Sequence, residues 1–152
     1  MIAACVITKD VDLEGLVDEI NGASWDDANE MTSFDVDSLS AYLERADNLF
    51  VACHDTTDGT RTLLGIASAR MQLKAYDEES WLYVDEVDVC ADQRQKGAGR
   101  AIMQRLLEVA RESHCEEVWL GTEVDNQAAN ALYNSLGPVK VEAFVGYTYE
   151  MD

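Results

Sequence analysis

The clearest chemical pattern lies in the run Arg94-Gln95-Lys96-Gly97-Ala98-Gly99-Arg100, where a strand-like segment gives way to a helix-like one. At such a junction the first backbone amides of the helix lack an intrahelical partner, and the helix dipole adds partial positive charge. Glycines let an anion approach the backbone closely. The run therefore predicts a cradle for a pyrophosphate; the alternative is an ordinary glycine-rich turn before a solvated basic helix.

The distribution of charge along the chain supports an anion at this place. The 152 residues carry a formal charge of −19, from 11 Lys and Arg against 30 Asp and Glu. The segment from Arg94 to Arg111 has five positive residues and one negative, so it carries +4 and the remainder −23. Such an acidic chain disfavours nucleic acid and anionic membranes as partners and favours cationic ones, although acid-rich solubility is the alternative explanation.

Two other phosphate-binding patterns fail at the residue level. The third glycine of a dinucleotide fingerprint would fall on Ile102, and the chain has no glycine-rich loop ending in Gly-Lys-Ser or Gly-Lys-Thr. The ligand is therefore neither a dinucleotide held in that way nor a nucleoside triphosphate.

The elements that must position this loop follow from the spacing of apolar residues. Apolar runs predict strands over 2–7, 49–53, 62–71, 81–89, 118–120 and 141–149. Helical spacing predicts helices over 13–20, 97–113 and 126–136, and another that carries Leu39, Leu43 and Ala46 behind an N-cap at Asp37. Polar turns at 55–59 and 76–80 join three of the strands in antiparallel order. The order predicts one α/β domain over residues 1–152.

The cysteines and the chain ends exclude other classes of protein. Cys5, Cys53, Cys90 and Cys115 form no C-x-x-C pair, so we expect reduced thiols and no zinc site. No apolar run reaches the ~18–20 residues that span a bilayer, and the first five residues lack the basic flank of a signal peptide. The sequence therefore predicts a cytoplasmic protein that needs no metal.

The run Arg94-x-x-Gly97-x-Gly99 resembles the pyrophosphate loop of the GNAT superfamily of acyl-CoA-dependent N-acetyltransferases. The preceding Glu86-Val87-Asp88-Val89 fits the strand that leads into that loop. The segment Asn126-x-x-Ala129-x-x-Leu132-Tyr133-x-x-Leu136-Gly137 resembles the second signature of the superfamily. The resemblance implies a GNAT fold, a mixed and mostly antiparallel twisted sheet of six to seven strands with about four helices, splayed at the acetyl-CoA site.

Within the superfamily, the chain resembles the type I aminoglycoside 3-N-acetyltransferases. The similarity rests on Asp37 and Leu43 before Phe50-Val-Ala, on Lys74 before the acidic turn, and on Tyr83-Val-Asp-Glu-Val-Asp-Val89. Gln95 and Pro138 depart from the usual pattern. Since a cradle of this kind works through backbone amides, neither departure should abolish cofactor binding.

The resemblance also implies roles for particular residues. Acetyl-CoA, as cosubstrate, would be held by Val87, Asp88, Val89, Arg94, Gln95, Lys96, Gly97, Ala98, Gly99, Arg100 and Asn126. Glu86 would be the general base, directly or through water, with Asp85 and Asp88 as rivals. Tyr133 would protonate the departing thiolate. The alternatives are surface carboxylates on an edge strand and a tyrosine that only packs against the sheet.

The acceptor is read from the acidic residues. Six carboxylates could bind a cationic amine or could simply be solvated: Asp26, Asp27, Glu30, Asp85, Glu123 and Asp125. The favoured acceptor is the 3-amino group of an aminoglycoside, and the alternative is another amine, on a polyamine, a small metabolite or a protein N-terminus. A non-catalytic acyl-CoA sensor is the alternative from a different class. The family resemblance also predicts a homodimer through Val141–Tyr149.

Overall fold

The computed structural model describes residues 1–26 and 33–152. The predicted site residues Asp27 and Glu30 lie outside the described residues. The chain divides into two compact units, Met1–Gly121 and Thr122–Asp152. In chain order the elements are β1 Ile2–Val6, α1 Leu13–Gly22, α2 Val36–Glu44, β2 Asn48–Asp55, β3 Thr62–Leu73, β4 Ser80–Val89, α3 Ala98–Glu112, β5 Glu117–Trp119 and α4 Gln127–Ser135.

The first unit is built on a mixed sheet whose strands follow chain order, β1-β2-β3-β4-β5. The first three pairings are antiparallel. Short connections join β2 to β3 and β3 to β4, whereas the chain passes through α1 and α2 between β1 and β2. The pairing of β4 with β5 is parallel, because α3 provides the crossover between them. The predicted mixed, mostly antiparallel sheet with four α-helices is confirmed.

Apolar side chains cover both faces of this sheet. On one face Leu16 and Ile20 of α1 and Leu39 of α2 pack with Phe50 and Ile66 of the sheet. Helix α3 packs across strands β1 to β4 with a buried stripe that includes Ile102 and Leu106. Because the two stripes are apolar at helical spacing, the sheet is enclosed between the helices. No helix in the described ranges is long and apolar enough to cross a bilayer.

Two sequence predictions about the elements are wrong. Asp35, not Asp37, caps α2, because the Asp35 Oδ1 atom accepts a hydrogen bond from the Ser38 amide at 2.8 Å. The described residues form five strands rather than six or seven, and 141–149 is not one of them. This segment has the apolar pattern of a strand, with Val141, Val145 and Tyr147 largely exposed, but a strand also needs a ladder partner, which a sequence pattern does not reveal.

Candidate active site

Strand β4 contains a β-bulge that decides where its carboxylates lie. Ser68 of β3 pairs with Glu86, and Ala69 pairs with Val84, which leaves Asp85 as an extra residue in the ladder. A bulge interrupts the strict alternation of side chains along a strand. Beyond the bulge, the side chains of Glu86 and Asp88 therefore point to the face of the sheet covered by α1 and α2, not to the face covered by α3.

On that face Glu86 and Asp88 line a cavity of about 360 Å³. Its other walls come from elements far apart in the sequence, including Ser38 and Tyr42 of α2 and Phe50 of β2. Glu86 is exposed, whereas Asp88 is only partly accessible to solvent. The cavity thus combines an apolar wall with two carboxylates, an arrangement that suits an amine carried on a less polar body.

The two carboxylates of this cavity interact with each other. Burial of Asp88, together with the negative charge and the hydrogen-bonding capacity of the neighbouring Glu86 carboxylate, raises the pKa of Asp88 to about 6. Among the described residues, neither forms an ion pair with a lysine or arginine. Asp85, by contrast, lies 3.4 Å from Arg70 Nε. The negative charge of this face is therefore left unneutralised at Glu86 and Asp88.

Cations on the same face are gathered beside the first half of β4. The Arg70 guanidinium carbon lies 5.0 Å from the centre of the Tyr83 ring, and Lys74 Nζ lies 4.6 Å from it. Lys74 Nζ also lies 4.1 Å from the Trp81 ring and is hydrogen-bonded to the Tyr83 hydroxyl. The aromatic rings hold these cations by cation–π attraction. Positive charge and the unneutralised carboxylates therefore occupy different stretches of β4.

Tyr42 connects α2 to the sheet at the edge of the cavity. Its hydroxyl lies 2.9 Å from two backbone carbonyl oxygens, those of Leu49 and Ala69, and donates its proton to them. Burial, with a smaller contribution from the Asp85 charge, raises the pKa of Tyr42. Tyr42 therefore remains a neutral donor that positions α2, and the proton acceptors of the cavity are Glu86 and Asp88.

The ladder between β4 and β5 ends at the pair Tyr83–Trp119, although β4 continues to Val89. In the first unit, over its described residues, the β5 side of 84–89 is an open edge. Backbone groups on an open edge can hydrogen-bond to an extended ligand. This splayed edge carries the predicted cofactor residues Val87 and Val89, and it suits the amide-rich pantetheine arm of acetyl-CoA.

The start of α3 provides the second part of a cofactor site. Gly97 is the N-cap of α3 and lies in the left-handed region at φ 87°. Since it has no side chain, it does not cap the helix amides with a hydrogen bond. A Cβ added at Gly97 would meet no heavy atom within 4 Å, so the space beside the loop is open. The amides of Ala98 and Gly99 begin the helix and lack an intrahelical acceptor. This loop fits a pyrophosphate, as its sequence predicts.

The charged side chains of the loop have protein partners. Arg94 Nη2 lies 2.7 Å from Asp26 Oδ2, and Lys96 Nζ lies 2.5 Å from Gln93 Oε1. The Ala91 amide also donates to the Ser24 carbonyl at 2.7 Å. The structure thus brings one predicted acceptor residue, Asp26, against the cofactor loop rather than beside Glu86.

The second unit carries the remaining predicted residues. Asn126 Oδ1 caps α4 by accepting from the Ala129 amide at 3.1 Å, and Tyr133 lies partly buried on that helix. Glu123 and Asp125 are exposed in the segment before it. The Asn130 side-chain amide donates to the Glu123 carbonyl at 3.0 Å, which holds that segment against the helix. The predicted helix is confirmed, and the roles of these residues stay predictions.

Sequence reasoning missed Gly65, which positions the acidic end of β4. Gly65 pairs with Val89, and a Cβ on it would lie 2.7 Å from the Asp88 carbonyl oxygen and 3.1 Å from Ile102 Cδ1. Glycine is therefore required for the close approach of β3, β4 and α3. A lone glycine inside an apolar strand pattern is the signal that could have revealed it.

The comparisons with known proteins agree with this fold. The sequence profile of the acetyltransferase (GNAT) family matches residues 16–137, and the chain belongs to that family. It is an acyltransferase family whose members use acetyl-CoA as cosubstrate with amine acceptors. No curated protein sequence matches the chain.

Solved structures share the fold at low sequence identity. The aminoglycoside acetyltransferase meta-AAC0020 from an uncultured soil metagenomic sample, in complex with sisomicin, has a TM-score of 0.82 at 17% identity, covering 99% of this chain and 97% of that one. The aminoglycoside acetyltransferase HMB0005, also from an uncultured soil metagenomic sample, has a TM-score of 0.77 at 20% identity, covering 100% of this chain and 99% of that one. The ribosomal-protein-alanine N-acetyltransferase from Brucella melitensis biovar Abortus 2308 has a TM-score of 0.70 at 16% identity, covering 99% of this chain and 100% of that one.

Proposed function

We propose that this chain transfers the acetyl group of acetyl-CoA to the 3-amino group of an aminoglycoside. The observation that carries the proposal is the unneutralised carboxylate pair, Glu86 and Asp88, in a cavity beside the open edge of β4. An acceptor with several ammonium groups is attracted by such a pair and repelled by a basic surface. The likeness of the fold to two aminoglycoside acetyltransferases supports the same acceptor.

Glu86 is the general base in this proposal. An ammonium nitrogen has no lone pair, so the acceptor must lose a proton before it attacks the thioester carbonyl. The Glu86 carboxylate lines the acceptor cavity and is exposed at its mouth, where an amine or an intervening water can reach it. A positioned base of this type contributes ~10²–10⁴-fold to the rate.

The remaining roles are assigned to backbone amides and to a phenol. The start of α3, from Gly97 to Arg100, holds the pyrophosphate, with Arg94, Gln95 and Lys96 around it, and the open edge at 87–89 holds the pantetheine arm. A backbone amide near Val87 donates to the oxyanion of the tetrahedral intermediate. Tyr133 donates its proton to the sulfur of the departing thiolate, since a phenol with a pKa of ~10 is protonated at neutral pH.

The direct test is release of free CoA from acetyl-CoA in the presence of gentamicin-type aminoglycosides, paired with growth of cells expressing the chain in those antibiotics. We expect CoA release that depends on the aminoglycoside, an acetyl group on its 3-amino nitrogen by mass spectrometry and NMR, and a raised inhibitory concentration. No release above background with any of several aminoglycosides would refute this acceptor.

A second acceptor class is supported by the size and lining of the cavity. A volume of about 360 Å³ with Phe34, Leu39, Phe50 and Ile66 in its walls accommodates one amine on a small apolar body. A panel of polyamines, small amine metabolites and N-terminal peptides, assayed in the same way, distinguishes this class. Turnover of one of these alone would select it, and tight CoA binding without any turnover would indicate a sensor module instead.

We also propose that the chain acts in the cytoplasm as a homodimer. The described thiols form no disulfide, and Cys53 and Cys90 are buried, which suits a reducing compartment. The exposed apolar side chains of 141–149 are available for burial against a second copy. Light scattering of the purified chain tests the stoichiometry, and a monomer at micromolar concentration would contradict it.

A further inference from the structure

We propose that Asp88 is a second catalytic carboxylate, which holds the acceptor ammonium together with Glu86 and shares the proton that Glu86 takes from it. This inference rests on the proposed acetyl transfer to an amine. The sequence assigned Asp88 to the cofactor and also made it a rival of Glu86 as general base. The structure places its side chain with that of Glu86 in the lining of the same cavity.

The bulge at Asp85 determines the face of β4 on which this pair of side chains lies. Glu86 and Asp88 are two residues apart beyond the bulge, so their side chains share a face of β4. They lie opposite Ser68 and Ile66, which also line the cavity. The pair is therefore built into the register of β3 and β4 and does not depend on a loop conformation.

The groups around the pair leave its charge for a ligand to balance. Tyr42 faces it from α2 as a neutral donor, and Arg70 of β3 is paired with Asp85 at 3.4 Å. Two carboxylates in contact in a half-buried cavity repel each other unless a cation or a proton lies between them. An ammonium group is a cation of the right size with three donors, enough to bond to both carboxylates at once.

The proton balance of the reaction then closes. At neutral pH the pair binds R–NH₃⁺, and Glu86 takes one proton from it, which the two carboxylates then share. The nitrogen lone pair forms the C–N bond to the thioester carbonyl carbon, and the C–S bond breaks with its electron pair on sulfur. Tyr133 gives its proton to the sulfur, which forms the CoA thiol, and the second nitrogen proton restores Tyr133. Asp88, whose pKa of about 6 lies below neutrality, then releases its proton to solvent.

The pair can be observed without any acceptor, by NMR titration of ¹³C-labelled side-chain carboxyl groups in the free protein. We expect Asp88 to titrate near pH 6, and its pKa to fall part of the way toward 3.8 in Glu86→Gln, because the Glu86 charge is removed while burial, the larger cause, remains. Glu44→Gln, at an exposed carboxylate on the end of α2, is the matched control and should leave the Asp88 titration in place. An Asp88 that titrates at its ordinary value in the wild type overturns the pair.

The catalytic role is read from the pH dependence of kcat/KM for whichever amine is turned over. We expect kcat/KM to fall tenfold per pH unit below about 6, since protonation of Asp88 removes the charge that holds the ammonium. Asp88→Asn should lower kcat/KM by ~10–100-fold at pH 8 and abolish the inflection near pH 6, with partial rescue in Asp88→Glu. A folded Asp88→Asn with an unchanged pH profile would overturn this role while leaving the proposed function intact. Failure of the wild type to acetylate any amine would refute the proposed function itself.

Discussion

The proposed cofactor loop and the proposed acceptor cavity would recognise their ligands by different physical means. The loop is one stretch, Arg94–Arg100, whose fit to a pyrophosphate depends on helix-end amides and on the backbone of Gly97 at φ 87°. The cavity gathers side chains from α2, β2, β3 and β4, and its charge depends on two carboxylates. Recognition by backbone tolerates a change of side chain, whereas recognition by paired carboxylates does not.

Glu86→Gln should show the largest effect, because it removes the proton acceptor while keeping the shape of the side chain. We expect kcat/KM to fall by ~10²–10⁴-fold, with an affinity for acetyl-CoA that stays within a few-fold of the wild type. Steady-state CoA release measures kcat/KM, and calorimetry measures the affinity for acetyl-CoA.

Glu44→Gln is the matched control for this experiment, since Glu44 is an exposed carboxylate that pairs with Lys9 at 3.7 Å. Equal loss of activity in the two variants would indicate a general charge effect. A fully active Glu86→Gln would show that the base lies elsewhere. It would also show that the cavity, like the loop, tolerates a change of side chain.

Gly65→Ala should disturb the cavity through the backbone of its carboxylate strand. The added Cβ would lie 2.7 Å from the Asp88 carbonyl oxygen, so β3 and β4 must move apart. Overpacking of this kind lowers the free energy of unfolding by ~1–3 kcal/mol, and the displaced strand should also lower kcat. Chemical denaturation and CoA release are the measurements.

Gly22→Ala, at the end of α1, is the control for that substitution because a Cβ there meets nothing within 4 Å. It should be neutral or stabilising by ~0.5–1 kcal/mol, since alanine is the better helix former. Equal destabilisation of the two variants would contradict the close approach of Gly65 to Asp88.

The same contrast explains which parts of the site could be predicted from the sequence. The Arg94–Arg100 loop is local, so its composition and its position before an apolar helical stripe were sufficient to predict a glycine-rich turn at the start of a helix. The cavity around Asp88 is not local, because the face to which its side chain points depends on a one-residue bulge at Asp85 that strand alternation does not encode. The pairing of Arg94 with Asp26 joins residues 68 apart, and no sequence pattern marks it. Likewise, the apolar pattern of 141–149 predicts a strand but does not supply its partner.

Asp88→Asn should stabilise the fold at alkaline pH although it impairs the cavity. The folded protein raises the pKa of Asp88 from 3.8 to about 6, so it binds the proton more tightly than the unfolded chain does. The stability of the wild type therefore falls as pH rises from about 4 to 6 and stays lower above that. The substitution removes the cost of ionising Asp88 in the folded protein. Because solvent screens part of that cost at a half-buried group, we expect it to add ~1–2 kcal/mol to the free energy of unfolding at pH 8.

Urea denaturation of both proteins at pH 8 and pH 4 checks the sign of this effect. The advantage of Asp88→Asn should shrink toward pH 4, where the folded wild-type carboxyl is protonated and that of the unfolded chain begins to be. A variant that is less stable than the wild type at pH 8 would show that the carboxylate pair is not a source of repulsion.

Asp26→Asn tests the smallest effect, on the loop side of the comparison. Asp26 and Arg94 form an ion pair at 2.7 Å whose side chains are 39% and 49% exposed, and such pairs contribute ~0.2–1 kcal/mol. An Asp26 carboxylate competes with a pyrophosphate for the Arg94 guanidinium and also repels that pyrophosphate. We therefore expect Asp26→Asn to tighten acetyl-CoA binding by ~1.5–5-fold, with a gain that shrinks at high salt.

In Arg94→Ala, binding should be weaker and the Asp26 substitution should matter less, which a double-mutant cycle on the dissociation constants would measure. Weaker binding in Asp26→Asn would instead show that this ion pair holds the loop in its binding conformation, and side-chain contacts would then matter as much to the loop as they do to the cavity.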